Sequence, residues 1–227
     1  EAGVVRFGTK LLAEEGADLV INGRWSKTVG DTAHEIEREF GHNIQAHQCV
    51  CDATDSQKIK EFFREKMPLF GDKLDILVNN VGNIEKFGKF EDLNEEDWQR
   101  SFNLTYMSAV RFIYASLPHL KKSDQARIIN ISSLSGHQPS FIGLNPHYGM
   151  AKAGMLNLTK NLANDFGRYG ITVNTICPGT LAGGGWEQNI KNRAERENLT
   201  AEEAEKIMRQ EESRKSPLGK MGALKDV

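Results

Sequence analysis

Apolar and polar positions along this chain follow two alternating periods. Five short runs, "ADLVING" (17–23), "IQAHQCVCD" (44–52), "LDILVNNVG" (74–82), "ARIINISS" (126–133) and "ITVNTICPG" (171–179), gather Ile, Leu and Val between turn residues. Several are apolar without alternation, the pattern of strands buried on both faces of a parallel sheet. Between them lie amphipathic stretches. In "DSQKIKEFFREKM", Ile59, Phe62, Phe63 and Met67 recur at helical spacing beneath a charged face, which predicts a crossover helix. Gly16, Gly41, Gly71 and Gly167 each follow a helical run and are expected to cap it in the left-handed conformation. No repeat or low-complexity linker interrupts the rhythm. The pattern predicts one α/β domain over residues 1–227, a doubly wound parallel sheet with helices on both faces, Rossmann-type.

The two ends and one long insertion depart from that rhythm. The chain opens inside a glycine-containing turn and runs straight into "RFGTKLLAEEG", whereas a nucleotide-binding βαβ unit needs a strand before that helix, at the sheet centre. The other end, "KMGALKDV", stops where a further helix is expected to begin, so the domain reads as truncated at both ends. Residues 183–219, "GGGWEQ" to "KSPLG", are polar, charged and helical in composition. They read either as a solvated helix pair or as a lid hinged at Gly183–Gly185.

Charge narrows the partners. The net charge is -2, both signs are interspersed, and no basic block stands alone, so neither nucleic acid nor an anionic membrane is implied. Nothing resembles a cleavable signal or a membrane span, and three cysteines cannot all pair within one chain, which together fit a reducing cytoplasm. Cys49 and Cys51 have one residue between them, fewer than metal-ligand spacings usually leave, so structural thiols are expected and no metal site.

Candidate chemistry lies at the strand ends. Glycine at the first strand-to-helix turn lets a backbone approach a dinucleotide's pyrophosphate, and an acidic residue about twenty positions on takes the ribose hydroxyl. Gly3 occupies the first place. The acidic slot holds Gly23, followed by Arg24, a cation suited to a 2′-phosphate, so NADP is favoured while NAD stays possible. In "NPHYGMAKAGM", Tyr148 and Lys152 share a helix face at i and i+4. A free phenol has a pKa of about 10, and a neighbouring ammonium is expected to draw it down toward the working range of an acid–base group. Ser133 emerges from one strand terminus and Asn79, Asn80 and Gly82 from another, where open α/β sheets bind ligands. Asn103 stands inside a helix that tolerates it poorly.

These motifs together, "NNVG", "NISS", "YGMAK", "CDATD" and "CPG", resemble those of the short-chain dehydrogenase/reductase family, near its 3-oxoacyl-carrier-protein reductase-like branch, over essentially the whole sequence. The resemblance implies an NADP-dependent oxidoreductase of ketones or secondary alcohols. It makes Tyr148 the general acid or base. Lys152 then tunes Tyr148 and holds the nicotinamide ribose, Ser133 bonds the substrate carbonyl, and Asn103 supports a water relay to Lys152. Gly3 and Arg24 are joined as cofactor contacts by Asp52 at the adenine, by Asn80 and Gly82 flanking the cofactor, and by Pro178, Gly179 and Thr180 at the nicotinamide. Val5 replaces the family's third turn glycine, and Gly183 stands near the place of its usual threonine after Pro-Gly.

Loops carrying Phe87, Phe141 and Trp186 are expected to wall the substrate pocket, with His137, Gln138 and His147 either shaping it or packing locally. The resemblance also implies a homodimer or homotetramer through the helices around Asn103 and after Tyr148, where Met155, Leu158, Leu162 and Phe166 exceed the needs of one sheet contact. Two other readings stand beside the enzyme: a nucleotide-binding sensor or scaffold of the same fold, and an epimerase or dehydratase, which usually carries a larger substrate domain.

Overall fold

The computed structural model describes residues 2–41, 44–140, 143–183 and 185–226; Phe141 and Gly184 lie outside them. In chain order the elements are α1 (Ala2–Glu14), β1 (Leu19–Gly23), α2 (Ser26–Phe40), β2 (Ala46–Val50), α3 (Ser56–Lys66), β3 (Ile76–Asn79), α4 (Glu95–Ser101) and α5 (Met107–Leu120). They continue with β4 (Arg127–Ile131), α6 (Leu134–His137), α7 (Pro146–Phe166), β5 (Thr172–Ile176), β6 (Leu181–Ala182), α8 (Trp186–Glu197), α9 (Ala201–Lys215) and β7 (Gly222–Ala223). Contacts divide the chain into two compact units, Asp18–Cys177 and the pair of segments Glu1–Ala17 and Pro178–Val227.

In the unit Asp18–Cys177 each of the five apolar runs forms its expected strand. All pairings are parallel, and every connection between parallel neighbours carries a helix, as parallel pairing demands. The strands form two sheets, β1–β2 and β3–β4–β5.

Register explains the helices on both faces. In β1–β2 one face bears Gly23, over which Val29 of α2 lies, and Gln48, which approaches Gly30. The other bears Cys49, which with Cys51 packs on Ile59 and Phe63 of α3 and on Met67. In β3–β4–β5 Leu77, Ile128 and Val173 align on one face and pack with Ile113 and Leu120 of α5 and Phe166 of α7. Full burial of side chains such as Ile128 and Leu120 contributes roughly 1.5–3 kcal/mol each. Ile76 and Val78 alternate to the opposite face, where they are exposed while Ile131 of the same face is buried. This is the layered parallel α/β arrangement of a Rossmann-type fold.

Local chemistry sets the helix ends. The Asp55 carboxylate accepts the N–H groups of Gln57 and Lys58, each at 3.0 Å, and starts α3. Asn94 and Asp97 close a reciprocal capping box on α4. Gly16 and Gly71 take positive φ as expected, and so does Gly41, although its ψ of -164° lies outside the left-handed helical well. Gly167 corrects the expectation. It stays right-handed and continues α7 into a 3₁₀ turn, and Gly170, at φ 73°, stops the chain three residues later. Met155 and Phe166 are also buried within the unit, while Leu158 and Leu162 pack against its core, so these four residues are engaged internally.

In the other unit the charged insertion folds as a helical hairpin. Trp186 and Ile190 of α8 bury against Ala204 of α9, and Arg193 bridges Glu197 and Glu211. Trp186, expected as a pocket wall, therefore lies in the hairpin's own apolar seam. Parallel β6 and β7 join the segment before the hairpin to the one after it. No helix among the described residues is long and apolar enough to cross a membrane.

Candidate active site

The last residues of β4 and the first turns of α7 build the site. Gly136 makes their close approach possible: a β-carbon there would lie 2.6 Å from the Lys152 carbonyl carbon and 2.8 Å from the Ala153 nitrogen. The Ser132 hydroxyl donates to the Lys152 carbonyl at 2.8 Å. Ser133 caps α6, its oxygen accepting from the Ser135 N–H at 3.1 Å, and its hydroxyl lies near enough to the phenol of Tyr148 to act on its pKa.

At the start of α7, Asn145 sits at φ 55° and is locked to Gly88. Its N–H donates to the Gly88 carbonyl at 2.7 Å, and its side-chain oxygen accepts the Gly88 N–H at 3.1 Å. His147, 2% exposed, lies close to Lys86 and packs at an angle on the Trp98 ring, its Nδ1 buried without a partner among the described residues. Burial pushes its pKa down, against the attraction of Asp97. His147 is thus a buried clamp between this helix and the loop after β3. His137 and Gln138 are exposed, and Phe87 is half exposed.

Lys152 is 2% exposed, and its ammonium donates to the Ile131 carbonyl at 2.6 Å. Its nitrogen stands 5.7 Å from the centre of the Tyr148 ring. Burial lowers the Lys152 pKa to about 8, with the charge of Cys177 opposing. For Tyr148 the direction is the reverse of the sequence expectation. Burial raises the phenol's pKa, and the neighbouring Ser133 hydroxyl offsets only part of the rise. Removing both groups from water disfavours phenolate and ammonium alike, and desolvation dominates in this pair.

Behind the site runs a buried polar ladder. Asn79 donates to Asn130 at 2.9 Å, Asn130 to the Thr159 hydroxyl at 2.9 Å, and Thr159 to the Met155 carbonyl at 2.8 Å. These bonds pin β3 and β4 to α7. Asn130 was missed in the sequence; its signal was a lone amide inside the apolar run "RIINI", which only buried partners make tolerable. Asn103 lies in a π turn, Phe102–Tyr106, a feature frequent at functional sites. The hydrogen bond its side chain makes runs to Arg111, not to Lys152.

Beside the amine stands Gly82, where a β-carbon would meet the Lys152 nitrogen at 3.0 Å and the Thr105 methyl at 3.1 Å. Thr105 is fully buried, and its hydroxyl has no partner among the described residues. A nicotinamide nucleotide, implied by the motifs, fits this corner. The absent side chain keeps the lysine nitrogen and the threonine uncrowded, the threonine hydroxyl is unsatisfied, and Lys152 has three N–H donors, of which one goes to Ile131.

At the ends of β1 and β2 the structure brings Arg24 and Asp52 together. Burial acts to raise the Asp52 pKa, but hydrogen bonds from the Thr54 N–H and hydroxyl, with the charges of Arg24 and Lys58, outweigh it and hold the carboxyl below its usual range. Arg24 is exposed and Asp52 half-buried. Asn80 and Gly82 follow β3, both half-buried. Of the remaining expected cofactor residues, Gly3 lies in the first turn of α1 rather than in a turn before it. Pro178, Gly179 and Thr180 follow β5, half-buried at the proline and exposed at the other two. These four belong to the other unit.

Residues 2–194 match the short chain dehydrogenase family. A D-beta-hydroxybutyrate dehydrogenase of Cupriavidus necator is 30% identical over 197 residues, 87% of this chain and 74% of that protein. Among solved structures, L-sorbose reductase from Gluconobacter frateurii, complexed with NADPH and L-sorbose, superposes with a TM-score of 0.88 at 23% identity, over 99% of this chain and 82% of that one. An NAD+-bound xylitol dehydrogenase gives a TM-score of 0.85 at 23% identity, over 98% and 85%. The motif set, the parallel α/β frame and the family match agree, and the chain belongs to the short chain dehydrogenase family as an NAD(P)-dependent oxidoreductase acting on CH–OH groups.

Proposed function

We propose that this protein interconverts a ketone and a secondary alcohol with NADP(H), with Tyr148 as the acid–base group. The observation that carries the reading is the placement of Ser133 beside Tyr148 past the carboxyl end of β4, where the serine hydroxyl favours the phenolate, with the Lys152 nitrogen 5.7 Å from the centre of the Tyr148 ring. Two hydroxyls so placed can both donate to one substrate oxygen. Burial keeps Tyr148 protonated through neutral pH, the state that a carbonyl reduction consumes. When bound, the nicotinamide supplies or accepts the hydride. Ser133 polarises the carbonyl, Tyr148 delivers the proton, and the Lys152 ammonium steadies the phenolate left behind. Asn103 has both its carbonyl and its side-chain oxygen engaged by Arg111, so no water relay to Lys152 is assigned to it.

The preference for NADP(H) over NAD(H) rests on Arg24, a cation at the end of β1 beside Asp52. Among the similar structures one carries NADPH and another NAD+. The motifs support a place near the 3-oxoacyl-carrier-protein reductase-like branch, in the cytoplasm. A homodimer or homotetramer is supported by apolar groups left exposed around the π turn and on α5 and α7: Phe102, Tyr114 and Met150.

The test is oxidation of NADPH against NADH by the full-length protein over 3-oxoacyl thioesters, steroids, sugars and small cyclic ketones. Tyr148→Phe is expected to cut turnover by about 10²–10⁴ while NADPH still binds. An unchanged rate in that variant overturns the assignment, and NADPH binding without turnover on any carbonyl favours a sensor of the same fold.

A further inference from the structure

Away from the reacting groups, β2 ends on a pair of thiols. Cys49 and Cys51 are 2% and 6% exposed, and their sulfurs lie 3.6 Å apart. Two residues of a fully extended strand stand about 6.6 Å apart at Cα, the far limit for a disulfide. At the end of β2 the backbone tightens. The Cys51 N–H reaches the Cys49 carbonyl at 3.1 Å, the i to i+2 contact of a γ-turn, which draws the two residues together. Across the sheet the Asn22 side-chain amide donates to the carbonyls of Cys49 and Cys51 at 2.9 and 3.2 Å and lies 3.6 and 3.2 Å from their sulfurs. Two sulfurs and an amide donor make a poor metal site, and no cluster of three metal-ligating side chains occurs among the described residues.

We propose that Cys49 and Cys51 form a reversible intramolecular disulfide under hydroperoxide stress, and that this bridge weakens nucleotide binding at Arg24 and Asp52. The second clause rests on the cofactor role proposed for those two residues. The pair is chemically unequal. The hydrogen bond between the thiols and the Asn22 amide favour the Cys51 thiolate against the cost of its burial, while the thiol–thiol bond and burial push Cys49 up. Cys51, whose sulfur stands nearer the Asn22 amide than that of Cys49, at 3.2 against 3.6 Å, is assigned as the nucleophile. Its thiolate attacks one peroxide oxygen, the O–O bond breaks, and hydroxide leaves and takes up a proton to become water. The sulfenic acid on Cys51 is then attacked by the Cys49 sulfur, whose proton departs with the S–O oxygen as a second water. Two thiols have lost two electrons in total, and one peroxide has gained them.

A disulfide holds its sulfurs at about 2 Å, so the pair must close on itself and withdraw from Asn22. The strain falls on neighbours that matter. Asp52 follows Cys51 directly, and the Cys51 N–H is bonded at 3.1 Å to the carbonyl of Gly23, the residue before Arg24.

The test uses the full chain with the exposed Cys177 changed to Ser. After hydrogen peroxide, denaturation and alkylation, intact mass should show a loss of about 2 Da and no alkylated thiol, reversed by dithiothreitol. NADPH affinity, read by fluorescence titration, should weaken several-fold in the oxidised form and stay unchanged by peroxide in Cys49→Ser and Cys51→Ser variants of that chain. Two alkylatable thiols after peroxide, or irreversible Cys51 oxidation without a bridge, overturn the disulfide. A bridge with unaltered NADPH affinity overturns the coupling. Failure of the reduced protein to bind NADPH sinks the cofactor reading instead, while the mass measurement still decides whether the bridge forms.

Discussion

Lys152 donates from its amine to the main-chain oxygen of Ile131 across 2.6 Å, tying α7 to the last residue of β4, two positions before Ser133. That bond places the amine in a dry pocket, and burial brings its pKa to about 8. Lys152 therefore changes charge within the range of ordinary assays. Below about pH 8 the ammonium is present to steady a Tyr148 phenolate; above it the amine is neutral and that help is gone. The reductive kcat/KM is expected to be level through neutral pH and to fall as pH rises through about 8. A profile flat through that point would remove Lys152's charge from the mechanism.

The same burial makes a stability prediction of definite sign. In the unfolded chain Lys152 keeps its proton up to about 10.5, whereas the folded protein releases it near 8, so between those values the unfolded state binds more protons. Stability then rises with pH across that window, and the full cost of the buried charge is present below about 8. At 1.36 kcal/mol per pKa unit the cost is roughly 3 kcal/mol. Lys152→Met removes it but leaves the Ile131 oxygen without its donor, so a net gain of roughly 1–2 kcal/mol is expected at pH 7. Urea unfolding at pH 7 and near pH 10 checks both the gain and its shrinkage at the higher pH. A destabilised variant at pH 7 would contradict this account.

Gly82 offers a steric test. An alanine β-carbon would stand 3.0 Å from the Lys152 nitrogen and 3.1 Å from the Thr105 methyl, and the flexible end of the lysine is what can move. Gly82→Ala is expected to cost about 1 kcal/mol of stability. It should also cost on the order of tenfold to a hundredfold in kcat/KM, because a displaced catalytic group loses its alignment. Gly8→Ala, inside α1 where a β-carbon meets nothing within 4 Å, should instead stabilise by roughly 0.5–1 kcal/mol and leave the rate alone. Equal kinetic effects of the two substitutions would detach Gly82 from the site.

What the sequence conveyed was period and spacing. The five strands were legible because Ile, Leu and Val crowd into runs too short for helices. The partnership of Tyr148 and Lys152 was legible because four residues make one helical turn. Environment was not legible. The upward shift of Tyr148 comes from burial by neighbours distant in the chain, which a Y-x-x-x-K spacing does not carry. Gly167 was the expected stop of α7, and the 3₁₀ continuation to Gly170 depends on the local fold rather than on the glycine alone. The π turn at Asn103 and the packing of Trp186 against Ala204 likewise depend on contacts across elements.

Cofactor choice yields the last prediction. Arg24 is exposed at the end of β1, and its charge helps to hold the Asp52 carboxyl below the usual range. A 2′-phosphate would give the guanidinium a charge-assisted partner that the NADH hydroxyl cannot match. Hydrogen bonds to charged groups contribute about 1.5–3 kcal/mol. Arg24→Ala is therefore expected to raise the Kd for NADPH by about tenfold to a hundredfold and to change that for NADH little. The comparison works within one variant, so any loss of folded protein affects both titrations alike and cancels in their ratio. A parallel loss of both nucleotides would mean that Arg24 supports the fold of the β1 end rather than the phosphate, and the preference for NADP(H) would then have to come from another residue.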